Sequence, residues 1–457
     1  MRVLTPLSAV AVAVTLLLSG CGESSSSSAG SEFAGGNGST PPTTPTTPTT
    51  PTTPTTPTTP TDPSTPTTPP TDPSTPTDPT TPGTFDESKL VANLVNNVLT
   101  PALTQFDTFA KAQQSQIGEY CVAEKAQSAN AADLHEKAKD SWRAAMSSWQ
   151  YVELMQVGPL LSNGKELKGN IYSWPAGGAL CSLDLDIVYH EDGFINGDTN
   201  RPYDIKMRTS DRKGLIAIEH ALFNTNYNHS CASENASLAP WNSRTITERK
   251  AARCEFAHTV AGDIVDNSTA ILASWQGDNG FANQLINAGN PGSQFDTPHI
   301  ALNEISKALF YMTKELKDEK LGTPLGLFTN SCGFVACGQD VESDISEHSK
   351  ENLLANIRAF KQIFTGEGSN ADNTLGFDDF LDAEQGSDIK QRMLQGLAEA
   401  EAALLAIDGS LKQAIDNDTA KVTEVHAKVK NVTDELKNDF INKLALELPQ
   451  TSAGDND

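Results

Sequence analysis

The sequence predicts an all-α protein, and three observations carry the prediction. From residue 85 onward, alternating strand-type patterns are scarce. Apolar residues instead recur at helical period over long stretches. Loops rich in Gly, Asn and Pro separate those stretches.

The chain opens with MRVLTPLSAVAVAVTLLLSGC. One arginine precedes a short apolar run, too short and too weakly flanked to span a membrane, so residues 1–20 read as a secretory signal. Leu18-Ser19-Gly20-Cys21 resembles the bacterial lipobox, in which the cysteine is acylated and becomes the new N-terminus. Cys21 is therefore the expected lipid attachment, and the lipid membrane the expected partner: an anchored protein, not a spanning one. No aspartate follows Cys21, so the inner-membrane retention pattern is absent, and the expected location is the outer membrane, facing the periplasm or the cell surface.

Residues 21–84 form a low-complexity Ser/Gly then Thr/Pro linker. Of 26 prolines, 16 lie between Pro41 and Pro82. Such a segment cannot bury a core, and a disordered, polyproline-like stalk is expected, reaching well over ~100 Å at about 3.1 Å per residue. From Phe85 the composition turns globular, with 53 acidic against 32 basic residues. That acidity argues against nucleic acid as a partner and is compatible with cation binding.

Cys21 takes one of seven cysteines. Cys121, Cys181, Cys231, Cys254, Cys332 and Cys337 remain, an even number that suggests disulfides in an exported chain. Sequence does not give connectivity; neighbours pairing in order (121–181, 231–254, 332–337) is the expectation. No Cys-x-x-Cys pair offers a zinc site, and no haem-attachment motif is present.

Helices are expected at Leu90–Ala112 and Asp133–Val157, the latter carrying Trp142, Met146, Trp149 and Glu153 within one narrow arc. Leu160–Thr209 reads as a long irregular region. Its acidic stretch Glu191–Asp204 lacks EF-hand spacing and reads as a solvated loop. Further helices follow at Asp211–Phe223, Thr245–Trp275, about Thr297–Lys317 and Asp340–Phe364, with two more at about Ser387–Ala406 and Ala420–Leu446. In the Asp340–Phe364 segment one stripe begins polar (Glu342, Ser346, Ser349) and continues apolar (Leu353, Ile357, Phe360, Phe364).

Lys213–Phe223, KGLIAIEHALF, poses the central problem. Ile218, Leu222, Leu215, Phe223 and Ile216 share one apolar arc, Glu219 lies in its middle and His220 at its edge. A carboxylate there costs several kcal/mol, on the order of its desolvation penalty, unless a proton, metal, arginine or hydrogen-bond set satisfies it. Glu153 repeats the problem on an aromatic face. The other histidines, His135, His190, His229, His258, His299, His348 and His426, share no ligand spacing and read as surface or capping residues.

Trp142–Pro159 (WRAAMSSWQYVELMQVGP), IYSWP at Ile171–Pro175, GLIAIEHALF, KLGTPLG from Lys320, and Glu342-x-x-x-Ser346-x-x-Ser349 running to Thr365-Gly366 together resemble the imelysin-like proteins. The resemblance covers nearly all of Leu90–Leu446. It implies a domain over 85–450 built as two helical bundles related by a pseudo-repeat, about 85–275 and about 290–450, with a functional site where they meet. It also implies an envelope protein, often iron-regulated, with an iron-uptake partner in one branch and a peptidase description for the founding member. The family's Gly-x-His-x-x-Glu motif is broken here: Gly214 and Glu219 match, but Ile216 holds the histidine position.

Three functions follow as expectations. The first is a binding module for iron, another divalent cation or a small iron-bearing ligand. Glu153, Glu219, His220 and Glu342 would be its ligating residues, Ser346 and Ser349 would support them, and Tyr172 and Trp174 would wall the pocket. The second is a non-catalytic interaction protein with a structural polar core. The third, weakened by Ile216, is a metallopeptidase with a metal-bound water.

Overall fold

The computed structural model describes residues 85–177, 179–232, 237–368 and 374–449. The signal segment, Cys21 and the Thr/Pro linker lie outside the described residues. The expected all-α fold is present. Among the described residues the extended pairings are two isolated bridges, Phe194 with Pro202 and Asn330 with Gly333.

Glu87–Asn93 (α1) passes through a π-helical turn, Leu94–Leu99, into Thr100–Lys125 (α2), so the first helix runs beyond its expected end. Ala131–Leu154 (α3) follows. Its inward residues Trp142, Met146, Trp149 and Glu153 are all buried, as their arc requires. The region read as irregular holds two helices, Glu166–Ile171 (α4) and Leu180–Asp192 (α5). The mixed Asp and Leu pattern of α5 hides its helical period, because Asp184 and Asp186 point into ion pairs instead of water.

Gly214–Phe223 (α6) begins at a glycine with φ +76°, where a Cβ would stand 2.5 Å from the Ile171 carbonyl oxygen at the end of α4. Only glycine permits that approach, which explains the first residue of the Gly-x-x-x-x-Glu remnant. Ile246–Trp275 (α7) starts at a capping box between Thr245 and Glu248. Phe281–Ile286 (α8) and Pro298–Ser306 (α9) come next, and α9 continues as a tight turn (Lys307–Met312) and a π segment (Thr313–Gly322).

The helix expected from Asp340 starts only at Ser349: Ser349–Thr365 (α10). Residues 341–348 form turns, with Ser343 and Glu347 at positive φ. Glu342 and Ser346 of that stripe belong to a loop, and Ser349 with the apolar continuation to a helix. Phe377–Ala383 (α11), Ser387–Leu405 (α12), Leu411–Asn417 (α13), Thr419–Glu435 (α14) and Ile441–Lys443 (α15) complete the chain.

The helices sort into two bundles. In the first, α2 packs between α3 and α7, and α4, α5 and α6 lie against α7. In the second, α12 packs on α14 and α10, with α14 also touching the segment Thr313–Gly322. The α3–α10 contact joins them, and one apolar core runs through both.

All six cysteines expected in disulfides are paired, but two of the three expected pairings are wrong. The bonds are Cys121–Cys254, Cys181–Cys231 and Cys332–Cys337. The packing of α2 on α7 brings the end of one helix to the start of the other, so Cys121 meets a partner 133 residues away. Sequence order carries no trace of that packing.

Candidate functional site

The last turns of α3 direct Gln150 and Glu153 into the junction of the bundles. Trp142, on the same face, ties α3 to α6 by donating from Nε1 to the Leu215 carbonyl at 2.9 Å. The π segment Thr313–Gly322 approaches from the other side. Its widened turns bury Lys320 to 1% exposure, and such segments are frequent at functional sites. Glu342 comes from the loop before α10, and Asn356 from α10 itself.

Four oxygens surround the Lys320 Nζ: Gln150 Oε1 at 2.5 Å, Glu342 Oε2 at 3.0 Å, Asn356 Oδ1 at 3.0 Å and Glu153 Oε2 at 3.4 Å. The Tyr311 and Trp174 rings face the same ammonium at 5.4 and 6.0 Å. Gln150 also donates from Nε2 to Glu342 Oε1 at 3.1 Å, and Asn356 donates from Nδ2 to the Gln150 carbonyl at 2.8 Å. Lys168 reaches the other oxygen of Glu153 at 3.5 Å. Two buried carboxylates thus face two ammoniums.

Burial pushes both carboxyls up, but unequally in the end. At Glu153 the Lys320 and Lys168 charges overcome burial and hold the carboxyl below its ordinary range. At Glu342 burial wins, helped by the Glu153 charge, and the carboxyl stays above its ordinary range. The Tyr172 hydroxyl lies beside Ser343 without a well-formed hydrogen bond. Burial, then the charges of Glu342, Glu153 and Glu219, push that phenol well above its usual value.

Glu219 stands apart from this inner group. It is 3% exposed, and its Oε1 accepts hydrogen bonds from the Ser346 backbone N–H at 2.9 Å and hydroxyl at 2.8 Å. Both hydrogen bonds fall on Oε1, and the residue lines a cleft of about 440 Å³. Trp174, Ile216, Glu319, Asp340 and Asp344 line the same cleft. Burial pushes the Glu219 carboxyl up to about 7, the Ser346 hydrogen bonds oppose it, and the Asp344 and Glu342 charges reinforce it. Asp344 and Glu319 are likewise raised, by burial first.

The junction therefore gathers Glu153, Glu342 and Tyr172 into an inner network, and Glu219 and Trp174 into the cleft, with Ser346 holding Glu219 from behind the lining. Two expected site residues are placed elsewhere. His220 is one helical step from Glu219, on the opposite flank of α6, and its Nε2 meets Asp184 Oδ1 at 2.9 Å. Asp184 is also held by the Ser230 backbone N–H at 2.7 Å and hydroxyl at 2.6 Å, so this pair braces the loop near Cys231. The Ser349 hydroxyl donates to the Glu342 backbone carbonyl and fixes the loop without lining the cleft. His348, read as a surface or capping residue, does sit at the α10 N-cap, but it is buried and meets the Ser147 hydroxyl at 3.0 Å.

Lys320, Gln150, Lys168 and Asp344 were not singled out in the sequence. The signal for Lys320 was its place at the head of KLGTPLG, directly beside a tight turn.

The residues present do not fit a resident metal centre. Lys320 fills the space between Glu153 and Glu342, and Ile216 turns a hydrocarbon toward the cleft where the family motif has histidine. Among the described residues no group of three His, Cys, Asp or Glu side chains is arranged to hold a metal ion.

A two-bundle helical protein with a polar site at the bundle junction is the class this geometry defines. The chain belongs to the imelysin family: the model for Imelysin, peptidase M75, matches residues 99–438. It is similar to iron-regulated protein A of Synechococcus elongatus, with 24% identity over 307 residues, covering 66% of this chain and 72% of that protein. Two solved structures share the fold. One is an imelysin-like protein from Psychrobacter arcticum (TM-score 0.58, 15% identity, 79% of this chain and 96% of that one). The other is described as an iron-regulated protein A precursor from Parabacteroides distasonis (TM-score 0.59, 15% identity, 78% and 95%).

Proposed function

We propose that this imelysin-family chain is a non-catalytic binding protein of the bacterial envelope. It is anchored through acylated Cys21 and takes a cationic cargo in the cleft headed by Glu219. One observation carries the reading: a nearly buried carboxylate, hydrogen-bonded by Ser346 through one oxygen, that lines an open, acidic cleft without a counter-charge among the cleft's lining residues. Burying a charged carboxylate without a counter-charge is costly, and a cation entering the cleft supplies one. Iron is the favoured cargo, free or carried on a small chelator. Hard carboxylate oxygens suit it, and a relative bears the name iron-regulated protein A. The cleft volume admits a small chelate as well as a bare ion, and delivery to an envelope iron-uptake partner would follow capture.

The metallopeptidase reading finds no support in the residues, because the motif histidine is Ile216 and the inner carboxylates are engaged by lysine. The interaction-protein reading has one observation in its favour. The inner network is charge-balanced within the chain and acts as a structural polar core.

The test is calorimetric titration of the mature chain with iron(II) under anaerobic conditions and with iron(III) citrate, beside Glu219→Gln. Saturable binding that Glu219→Gln abolishes while the fold persists is the expected result. Equal behaviour of the two proteins toward both probes would leave the interaction-protein reading in its place.

A further inference from the structure

The Lys320 ammonium sits among more acceptors than it has protons. Four side-chain oxygens, two from carboxylates and two from amides, converge on one point at 2.5 to 3.4 Å. All four residues are at most 2% exposed. An ammonium has three protons to donate, so four acceptors exceed what one lysine can satisfy, and Glu342 Oε2 lacks a well-directed hydrogen bond despite its 3.0 Å approach. A shell of hard oxygens from Glu, Glu, Gln and Asn is the ligand chemistry of calcium or manganese.

We infer that Lys320 is a tethered cation occupying a latent divalent-metal site formed by Glu153, Glu342, Gln150 and Asn356. The charges are closed without any added ion: Lys320 and Lys168 balance Glu153 and Glu342. A divalent ion entering the intact protein would leave two uncompensated positive charges in a buried space, and it would have to displace a side chain held at four points. The same lysine comes from the second half of the chain and binds Gln150 and Glu153 of the first. It therefore fastens the two bundles as a metal would, independently of metal supply. The cleft at Glu219 remains open to a cation from outside.

The experiment is done in a Glu219→Gln background, so that binding in the cleft is not counted. Manganese(II) and calcium(II) are titrated by calorimetry and by thermal melting against that parent, against Glu153→Gln, against Lys320→Ala, and against Lys320→Ala with Glu153→Gln. The parent is expected to show no metal-dependent stabilisation. Lys320→Ala is expected to bind one ion per chain at least tenfold more tightly, to recover melting temperature with metal, and to lose both effects with Glu153→Gln. Metal binding by the parent that Glu153→Gln removes would overturn the inference. So would a folded Lys320→Ala that binds no more tightly than the parent. Should Lys320→Ala be unfolded without metal, refolding in manganese(II) decides: return of the helical signal supports the latent site, and none refutes it. The outcome is independent of whether Glu219 captures cargo, because every arm lacks that carboxylate.

Discussion

Replacing Glu219 by glutamine separates a carboxylate kept for binding from one that is merely tolerated. The carboxyl titrates at about 7 in the folded chain against an ordinary 4.5. Each unit corresponds to about 1.4 kcal/mol, so full ionisation in the folded state costs roughly 3 kcal/mol relative to the unfolded chain. The sign follows from proton counting. Between 4.5 and about 7 the folded form binds more protons than the unfolded one, so wild-type stability falls as pH rises through that window and is level above it. Glutamine keeps an oxygen that can accept from Ser346 and does not ionise. Urea unfolding of the ligand-free proteins at pH 5 and pH 8 is the assay. Glu219→Gln should gain about 2–3 kcal/mol on wild type between the two pH values, most of it below pH 7. A difference between the proteins that does not change with pH would refute the assignment of the titration to this carboxyl. The binding arm runs the other way. A cation needs the charged form, so wild-type affinity should rise with pH by up to about tenfold per unit until about pH 7, and Glu219→Gln should show neither the affinity nor the slope.

Three further outcomes are expected. Ile216→His restores the Gly-x-His-x-x-Glu pattern at i and i+3 on one face, with both residues already lining the cleft; it should gain affinity for a divalent metal in calorimetry, and no gain would show that the cleft cannot bring the two side chains onto one ion. Gly214→Ala places a methyl group about 2.5 Å from the Ile171 carbonyl oxygen at a positive φ. It should lower stability by at least ~1–3 kcal/mol, and an unchanged urea midpoint would count against the close α4–α6 approach. Cys21→Ala should move the protein from the membrane fraction to the soluble one and remove the acyl mass, while unchanged fractionation and mass would reject the anchor.

The helical class, the main helices and the burial of Glu153 and Glu219 were legible because helical period is a local property of the chain; Glu342 is buried too, but from a loop, so the period that pointed to it was not the cause. Glu219 was legible for a different reason: a carboxylate in the centre of an apolar arc contradicts its surroundings, and the contradiction marks the position. What the sequence could not supply was the partner of each charge. Ser346 satisfies Glu219 from a loop more than a hundred residues away, and that loop was misread as helix because its polar stripe ran in phase with α10. Cys121 and Cys254 failed for the same reason, since helix packing set their pairing.

Lys320 is the instructive case. A lysine one step from a Leu-Gly turn reads as a solvated charge, and nothing in its neighbours' pattern says otherwise. It is drawn inward because α9 continues into a π segment, whose wider turns change which side chains face α3. With α-helical geometry maintained, the facing set would differ and the two carboxylates would need another cation. The backbone irregularity and the buried lysine are therefore one feature. The inner carboxylates are thereby neutralised within the chain, by Lys320 and Lys168, and cation capture, on the reading proposed above, is left to the cleft.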